Sequence, residues 1–417
     1  MRRSGGAAIR MQKNFKDTDG ALSRMTFLVG DGQTIAEMQK IPARPVFDEC
    51  VIDFLSDLSK NIRAQAGARS YPDVVTFGFW LRRSSLLRLK ERFENKDGNM
   101  HMGRGVVFHI APSNVPVNYA YSLAAGLLTG NLNIVRVPSK EFPQVSLINR
   151  AIRETLAAHE NMKPYIALVR YGHERDVNDL LSSMADVRVI WGGDATIEEI
   201  RRSQLRPGAG EITFADRYSL AVIDSGAYLA IGDRKKAATD FYNDTFLTDQ
   251  NACTSPRIVV WLGSSIAEAK ELFWETLHAL AAESYAFQPI QGVNKLTSAY
   301  LLAAAGEGAV IEPREDNLIV RVKVRQVSPG LMEFKDHSGY FFEYDCRALT
   351  ELFDLCNDRR CQTIGYLGDV GMFDELLAMG PRGIDRLVPI GRTMDFELIW
   401  DGYDLTERLS RTVRIVQ

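Results

Sequence analysis

From Gly103 onward, short apolar runs alternate with longer helical segments, and few folds accommodate such a pattern. The apolar runs are rich in β-branched residues, and the segments between them repeat apolar residues every three to four positions. Strands are predicted at residues 104–110, 132–137, 165–170, 187–191 and 218–223, and helices at 117–128, 142–159, 176–184 and 196–203. This alternation is typical of a parallel sheet covered by helices on both faces, so the chain is predicted to be an α/β protein.

A second set of alternating segments begins at residue 233. A predicted helix over 233–248 leads to the apolar run RIVVWL at 257–262, and helical segments continue from 267 to about 305. Further strands are predicted at 317–324, 339–343, 363–366 and 386–389, with helices at 348–356 and 372–379. Upstream of Gly103, helical spacing over 46–62 and 76–93 indicates a helical layer that packs on the core domain.

Composition excludes several classes of protein. Fifty basic residues against fifty-three acidic ones give a net charge of -3, so no global field attracts nucleic acid or an anionic membrane. The five cysteines are widely spread without a CxxC pair, which argues against a disulfide framework and a zinc site; no metal site is predicted. The first ten residues lack the apolar core of a signal peptide, and no apolar run reaches the roughly 20 residues of a membrane span. A cytoplasmic protein is expected.

A single cysteine stands in a polar turn just ahead of the strand RIVVWL. The turn reads DQNACTSPR from Asp249 to Arg257, with Cys253 near its centre and Pro256 closing it. A lone cysteine is often a small buried apolar residue. However, the polar neighbours of Cys253 are costly to bury without partners, which favours a cleft in which a thiolate can be activated as a nucleophile.

Three loops follow the predicted strands of the first sheet at their carboxyl ends, where such sheets bind ligands. Gly192 and Gly193 precede a helix, so they form either a phosphate site at the helix N-terminus or an ordinary structural turn. Ser139 and Lys140 follow the second strand, where a hydroxyl and a cation suit a 2′-phosphate, although a solvated turn lysine fits the same pattern. These loops make a nucleotide site plausible but do not establish one.

Asn114 lies in the first of these loops, between Pro112 and Pro116, which hold it extended. Its amide N–H is suited to donate to a developing oxyanion, or else it stabilises its own turn. His109 and His337 are near predicted loop ends, and both are interpreted as structural histidines.

Two segments resemble a known family. GRGVVFHIAPSNVPVNYAYSLAAGLLTGNLNIVRVPSKEFP (103–143) and TDQNACTSPR (248–257) are similar to the acyl-CoA reductases of the LuxC family. These are reductase subunits of bacterial fatty-acid reductase complexes and a branch of the aldehyde dehydrogenase superfamily. The resemblance extends to the C-terminus and includes GIDRLVPIG and WDGYDL. It implies an aldehyde dehydrogenase-like fold, with a Rossmann-type parallel-sheet domain for the nicotinamide cofactor and a second α/β catalytic domain.

The predicted boundaries follow from that fold. Residues 1–232 are expected to hold the helical N-terminal layer and the cofactor-binding domain, and residues 233–393 the catalytic domain that carries the nucleophile. Residues 394–417 are expected to return to the first domain or to contact another subunit.

The resemblance also assigns roles to residues. Cys253 is the implied nucleophile and Asn114 the implied oxyanion donor, while Arg136 replaces a lysine that contacts the ribose in the superfamily. The predicted cofactor site comprises Pro112, Ser113, Arg136, Ser139, Lys140, Gly192, Gly193 and Asp194. The glutamate that activates water in oxidising members has no clear counterpart, because Glu211 occurs a few residues early. Its absence favours reduction, since an acyl-enzyme without a base survives until hydride arrives.

The implied function is NADPH-dependent reduction of a fatty acyl thioester, as acyl-CoA or on a carrier, to a fatty aldehyde through an acyl-cysteine intermediate. Two alternatives stay open. One is an oxidising NAD(P)-dependent aldehyde dehydrogenase with Glu211 as the base, and the other is a subunit that carries acyl groups on Cys253 without redox chemistry. By analogy, the expected partners are an acyl-protein synthetase subunit and further copies of this chain.

Overall fold

A computed structural model describes residues 20–94, 99–306, 308–312 and 316–416. The first ten residues, for which no signal peptide is predicted, lie outside the described residues. The chain divides into two compact units. The first unit holds the residues up to Ala215 together with the segment from Tyr403 onward, and the second unit is Asp216–Gly402.

The strands are numbered in chain order. They are β1 (Thr26–Val29), β2 (Met100–Gly103), β3 (Val106–Ile110), β4 (Leu132–Arg136), β5 (Ile166–Arg170), β6 (Val187–Trp191), β7 (Gly210–Phe214), β8 (Tyr218–Asp224), β9 (Pro256–Leu262), β10 (Val310–Ile311), β11 (Val320–Lys323), β12 (Tyr340–Asp345), β13 (Cys361–Leu367), β14 (Arg386–Pro389), β15 (Ile399–Trp400), β16 (Tyr403–Asp404) and β17 (Ser410–Val413).

The helices are numbered in the same way. They are α1 (Gly32–Glu37), α2 (Glu49–Ala64), α3 (Pro72–Trp80), α4 (Arg83–Glu94), α5 (Asn118–Leu128), α6 (Pro143–Ala158), α7 (Arg175–Met184), α8 (Asp194–Arg201), α9 (Ser225–Ala230), α10 (Arg234–Thr245), α11 (Ile266–Ser284), α12 (Pro289–Ala304), α13 (Phe353–Asn357), α14 (Asp374–Ala378) and α15 (Leu405–Arg408).

The first unit is built on a six-stranded sheet in the order β1-β5-β4-β3-β6-β7. In this sheet β5, β4, β3, β6 and β7 run parallel to one another, and β1 pairs antiparallel with β5. Every residue of β3 is buried, as expected for a central strand with helices on both faces. Gly130 ends the turn after α5 with a φ of 81°, and a Cβ there would collide with the Arg44 carbonyl, so glycine is required.

The predicted N-terminal helical layer is present. The long helix α2 begins after the capping residue Asp48 and buries one face. Asn61 on that helix donates to the Thr155 hydroxyl on α6 at 2.8 Å, and Phe77 on α3 packs edge-on against Tyr121 on α5. This layer therefore covers helices of the first sheet.

The second unit is built on a seven-stranded sheet in the order β10-β11-β12-β9-β8-β13-β14. All of its pairings are parallel except that of β10 with β11. The central strands β8 and β9 are buried along nearly their whole length. Two apolar layers cover the sheet, one of them rich in aromatic side chains such as Trp261, Phe273 and Trp274.

The structure corrects the sequence-based outline in two places. The edge strands β1 and β7 were not predicted, because both are short and β7 follows a loop rich in glycine and proline. The strand β8 pairs with β9 and β13, so it belongs to the second sheet rather than to the first. The units accordingly divide at residues 215/216 and 402/403, whereas the predicted boundaries are 232/233 and 393/394.

The C-terminal segment from Tyr403 is part of the first unit, where β17 pairs antiparallel with β2. None of the helices in the described parts of the chain combines the length and apolarity that a bilayer crossing requires.

Candidate active site

The carboxyl edge of the first sheet carries the loops that the sequence analysis selected. The chain runs from β3 through β4 to β5 on one side, then places β6 and β7 on the other side of β3. The strand order therefore reverses between β3 and β6, and ligands of such sheets bind beyond the carboxyl ends at this point. The predicted site residues other than Cys253 lie in or beside the loops after β3, β4 and β6.

The two glycines after β6 differ in their surroundings. A Cβ on Gly192 would lie 3.1 Å from the Thr196 side chain, so this glycine lets the first turn of α8 approach the strand closely. A Cβ on Gly193 would meet nothing within 4 Å, and Gly193 precedes the helix directly. Open space therefore adjoins the N-terminus of α8, and helix N-termini favour phosphate.

Asp194 is the first residue of α8 and is exposed. Its carboxylate is at the helix end that attracts anions, where it would oppose a bound phosphate by like-charge repulsion. A contact between Asp194 and a nucleotide would therefore involve its backbone N–H rather than its side chain.

Arg136 is the last residue of β4 and its guanidinium turns towards the end of β5. Its Nη2 donates to the Gly172 carbonyl at 2.5 Å, and its Cζ lies 4.6 Å from the centre of the Tyr171 ring. Ser139 and Lys140 follow in an exposed turn, with the Lys140 ammonium 5.0 Å from the centre of the Phe142 ring. The Ser139 hydroxyl and the cations of Arg136 and Lys140 thus lie at the edge of the sheet where the strand order reverses.

The loop after β3 contains Pro112, Ser113 and Asn114, and both Ser113 and Asn114 are exposed. Asn114 thus lies at the carboxyl edge of the first sheet, next to the point where the strand order reverses. Its role as an oxyanion donor stays a prediction.

Cys253 lies in the second unit, at the amino ends of three neighbouring strands. It precedes β9 by three residues, and its carbonyl accepts a hydrogen bond of 2.7 Å from the Ser219 hydroxyl on β8. The same hydroxyl accepts from the Thr363 N–H on β13 at 3.3 Å. Cys253 is half-buried, whereas Ala252, Thr254 and the residues of β9 that follow are largely buried.

Gln250 holds the cysteine turn in place, and the sequence analysis did not identify it. Asp249 and Gln250 have φ angles of 53° and 56°, two consecutive left-handed residues that reverse the chain after α10. The buried Gln250 amide donates to the carbonyls of Pro256 and Tyr340, each at 3.0 Å. Its oxygen accepts from the N–H groups of Gly339 and Tyr340 at 2.9 and 3.1 Å.

The polar neighbours of Cys253 therefore do not line a cleft, as the sequence analysis had interpreted them. Gln250, Thr254 and Ser255 are buried, and the side chain of each has a hydrogen-bond partner inside the protein. The Thr254 hydroxyl lies 3.1 Å from the Met394 sulfur, and the Ser255 hydroxyl lies 3.3 Å from that of Thr248. These polar side chains stabilise the turn through hydrogen bonds, because buried polar groups need partners.

The cysteine is a thiol rather than a thiolate at neutral pH. Burial raises the pKa of Cys253 to about 12, and the Asp401 carboxylate acts in the same direction. A hydrogen bond from Gln362 and the charge of Arg217 act oppositely on the pKa but are weaker. These three residues come from distant parts of the second unit, which is why the local sequence around the cysteine did not reveal them.

Both candidate histidines make structural contacts. His109 is fully buried between the Ser122 hydroxyl (2.8 Å) and the Asn133 side-chain oxygen (3.0 Å), and burial lowers its pKa to about 4. His337 Nδ1 lies 3.2 Å from the Gln250 carbonyl, and burial lowers its pKa. The structural interpretation of both histidines fits these contacts.

Glu211 is poorly placed to activate water. Its Oε2 accepts from Arg188 Nε at 2.9 Å and its Oε1 from Arg201 Nε at 2.7 Å, so both carboxylate oxygens are in ion pairs. Glu211 is the second residue of β7 and pairs in register with Arg188 near the start of β6. It therefore lies towards the amino ends of these strands, away from the ligand-binding edge.

A charged cavity of about 860 Å³ opens in the second unit, near the carboxyl ends of β9, β11 and β12. Glu343 and Asp345 in its wall are paired with Lys270, Arg321 and Lys323. The cavity is at the opposite ends of the strands from Cys253, and its lining holds more acidic than basic residues.

Part of this chain is similar in sequence to a known family of enzymes. The family model "Acyl-CoA reductase (LuxC)" matches residues 82–288, which include both Asn114 and Cys253. Long-chain acyl-protein thioester reductase 2 of Photobacterium leiognathi is 27% identical over 178 residues, 42% of this chain and 34% of the relative. Long-chain acyl-protein thioester reductase of Vibrio harveyi is 23% identical over 323 residues, 75% of this chain and 64% of the relative. The chain thus spans less than two thirds of the length of these relatives.

Solved structures show the same fold at low sequence identity. 3,6-anhydro-L-galactose dehydrogenase matches with a TM-score of 0.62 and 14% identity, covering 95% of this chain and 91% of that one. NADP-dependent glyceraldehyde-3-phosphate dehydrogenase from Bacillus halodurans C-125 matches with a TM-score of 0.60 and 16% identity, covering 95% and 90%. The predicted fold class is confirmed: the chain has an aldehyde dehydrogenase-like fold, and its residues 82–288 match the model of the LuxC acyl-CoA reductases.

Proposed function

We propose that this protein reduces a fatty acyl thioester, presented as acyl-CoA or on a carrier, to a fatty aldehyde with NADPH, through an acyl group on Cys253. The observation that carries the proposal is the cysteine turn. Gln250 and Ser219 hold the backbone on both sides of Cys253, while the cysteine itself stays half-buried among largely buried neighbours. A cysteine that only fills space in the core would not require these hydrogen bonds to fix its backbone.

The acylation step uses groups of this chain. The Cys253 sulfur attacks the thioester carbonyl, and the carrier thiol leaves. The Asn114 amide and the Cys253 backbone N–H are the proposed donors to the oxyanion. Asn114 receives this role from the family resemblance, and its exposed place at the sheet edge is compatible with it.

The nicotinamide cofactor has a suitable place in the first unit. The open space at Gly193 accommodates a phosphate over the N-terminus of α8, and Arg136, Ser139 and Lys140 would take the ribose and its 2′-phosphate. Pro112 and Ser113 are proposed to border the nicotinamide side of the same crevice. When bound, NADPH supplies the hydride that reduces the acyl thioester.

The placement of Glu211 supports reduction over oxidation. An oxidising dehydrogenase needs a base that makes hydroxide from water beside the acyl-cysteine. Both oxygens of Glu211 are in ion pairs with arginines, and its strand position is near the amino edge of the sheet. Glu211 is therefore not available for that task.

A graded panel of acyl-CoAs with NADPH tests the proposal by measuring aldehyde and by labelling the protein with radioactive acyl groups. We expect aldehyde from at least one chain length, and Cys253→Ala is expected to abolish both aldehyde and label. Cys50→Ala is the matched control, because Cys50 is an exposed free thiol in the other unit. Label that persists in Cys253→Ala would remove Cys253 from the scheme.

Two outcomes of the same experiment would favour the alternatives. Free acid formed from aldehyde with NAD(P)+ at a useful rate would indicate an oxidising dehydrogenase. Acyl labelling of Cys253 without binding of either nicotinamide cofactor in a fluorescence titration would indicate a subunit that carries acyl groups. An acyl-protein synthetase and further copies of this chain remain proposed partners, by analogy with the family.

A further inference from the structure

Lys295, on α12, is a fully buried lysine of the second unit. Its Nζ donates to the carbonyls of Leu318 and Ser338 at 2.8 and 2.7 Å, and it lies 4.8 Å from the centre of the Phe287 ring. An ammonium has three donors, so two carbonyl oxygens and one aromatic face provide partners for all of them.

Burying this amine is costly. Burial lowers the pKa of Lys295 to about 8, while the charges of Asp336, Asp249 and Asp316 oppose that change. The side chain therefore keeps its proton at neutral pH. An apolar side chain of similar length, such as that of methionine, would fill the same space without this cost. The two carbonyl contacts, rather than packing, therefore account for a lysine here.

One of the two carbonyls belongs to a buried turn with an unfavourable backbone conformation. Ser338 and Gly339 have φ angles of 63° and 87°, and the left-handed conformation is disfavoured for serine. A Cβ on Gly339 would lie 2.8 Å from the Leu318 carbonyl oxygen, which is the other oxygen that Lys295 contacts. Lys295 thus binds both chain segments that meet at this turn.

The turn at Ser338 pairs with the turn that carries Cys253. The Ser338 hydroxyl donates to Asp249 Oδ1 at 2.7 Å, and the Ser338 N–H donates to the Asp249 carbonyl at 3.4 Å. The next two N–H groups of the same turn donate to the Gln250 side-chain oxygen at 2.9 and 3.1 Å. Asp249 and Gln250 are left-handed as well. Two unfavourable turns therefore stabilise each other, and Cys253 follows three residues later.

Two further side chains of α12 contact the same pair of turns. Gln291 Nε2 lies 3.4 Å from Asp249 Oδ1, and the Ser298 hydroxyl donates at 2.8 Å to Asp336 Oδ2, in the segment that leads into the second turn. Gln291, Lys295 and Ser298 are spaced by four and three residues, so they share one face of the helix. This face of α12 supports both turns.

We propose that Lys295 is a positioning residue for Cys253. Its ammonium holds the Ser338 carbonyl, and the turn at Ser338 holds Asp249 and Gln250. The cysteine turn in consequence keeps the sulfur at the distance and angle that attack on a thioester carbonyl requires. Lys295 acts through the backbone and not on the reacting atoms. This role rests on the proposed thioester chemistry of Cys253.

The test measures aldehyde formation by Lys295→Met, using NADPH and the acyl-CoA of the graded panel that the wild type reduces fastest. Methionine fills the space of the lysine stem but donates to neither carbonyl. Misplacement of a reacting atom by about 1 Å costs about 100-fold in rate. We therefore expect kcat per folded enzyme to fall about 10–100-fold, with an unchanged KM for the acyl-CoA. A purely structural lysine would lower the melting temperature and leave kcat unchanged.

Lys270→Met is the matched control. Lys270 is another largely buried lysine of the second unit, and its Nζ pairs with Asp345 Oδ1 at 2.5 Å at the opposite ends of the strands from Cys253. This variant is expected to keep the wild-type kcat. An equal loss of kcat in both variants would indicate a general disturbance of the unit and overturn the positioning role.

Ser338→Ala is a milder second variant that removes only the hydroxyl bond between the two turns. It is expected to lower kcat about 3–10-fold, less than Lys295→Met, because the backbone contacts between the turns persist. If Lys295→Met does not fold, wild-type kcat in Ser338→Ala overturns the positioning role.

Alkylation of Cys253 by iodoacetamide does not depend on the proposed function. A loosened turn exposes the half-buried sulfur, so alkylation is expected to be faster in Lys295→Met, with the exposed Cys50 as internal reference. Wild-type kcat in a folded Lys295→Met overturns the positioning role and leaves the proposed function intact. If the wild type forms no aldehyde from any acyl-CoA of the panel, the proposed function fails. An unchanged alkylation rate in the variant would then overturn the positioning role as well.

Discussion

The two sheets of this protein present their chemistry at opposite ends of their strands. In the first unit, the loops with nucleotide-binding character follow the carboxyl ends of β3, β4 and β6. In the second unit, Cys253 precedes β9 and lies at the amino ends of β8, β9 and β13. Two parallel α/β sheets in one chain therefore follow different rules for the placement of reactive groups.

The difference has a physical origin. A cofactor site at the carboxyl edge uses backbone N–H groups and helix termini, which every such sheet has there. A nucleophile needs one side chain in one position, and here tertiary contacts fix that position: Gln250 from the turn and Ser219 from β8. The first kind of site tolerates sequence variation, whereas the second depends on individual buried partners.

The largest expected effect is a loss of stability when Gln250, the buried partner of the cysteine turn, is replaced. Gln250→Leu leaves the N–H groups of Gly339 and Tyr340 and the carbonyls of Pro256 and Tyr340 without their side-chain partner. Unsatisfied buried backbone groups cost about 1–3 kcal/mol each, and several at once predict a loss of roughly 3–5 kcal/mol in the free energy of unfolding. Chemical denaturation measures this loss.

Gln65→Leu is the comparison for this prediction. Gln65, in the first unit, makes a single exposed side-chain hydrogen bond, to Glu154, so its loss is expected to cost less than about 0.5 kcal/mol. Equal effects of the two substitutions would show that the cysteine turn is not the specially supported element that its contacts indicate.

These contacts explain how far the sequence could be interpreted. The alternation after Gly103 predicted the α/β class and most strands, because buried parallel strands are continuous apolar runs bounded by turns. The loops at the carboxyl edge were also predictable, because their position follows from strand order alone. Short edge strands such as β1 and β7 carry little of this signal, so they were missed.

The surroundings of Cys253 were not predictable in the same way. Gln362 and Asp401 lie more than a hundred residues beyond the cysteine in sequence, and only the pairing of β13 with β8 brings them near it. The polar residues next to the cysteine suggested an open cleft, but Gln250 and Thr254 are buried and hydrogen-bond to other protein groups. WDGYDL was noted as part of the resemblance, but nothing local to it indicated that Asp401 points inward.

A second prediction concerns the backbone site of the first unit. Gly193→Val adds a side chain where a Cβ meets nothing within 4 Å, at a φ of -64° that valine adopts. The fold is therefore expected to persist, while the side chain fills the space proposed for the cofactor phosphates. We expect the Kd for NADPH to rise about 10–100-fold, or about 1.4–2.7 kcal/mol, measured by fluorescence titration.

Gly210→Val is the matched control for this substitution. A Cβ on Gly210 also meets nothing within 4 Å, but this glycine begins β7 at the amino edge of the sheet. NADPH affinity is expected to stay unchanged in that variant. Loss of affinity in both variants would indicate a general disturbance of the sheet rather than a phosphate site at α8.

The smallest predicted effect tests whether the first sheet distinguishes NADPH from NADH through an exposed side chain. Lys140→Glu reverses one solvent-exposed charge beside the proposed 2′-phosphate, and exposed pairs contribute at most about 1 kcal/mol. The NADPH affinity is therefore expected to fall about fivefold relative to that of NADH, measured as the ratio of the two Kd values at low ionic strength. Lys163→Glu reverses an exposed charge that follows α6 and precedes β5, at the amino edge, and is expected to leave the ratio unchanged. A ratio that responds to neither substitution would assign cofactor choice to Arg136 or to backbone groups instead of Lys140.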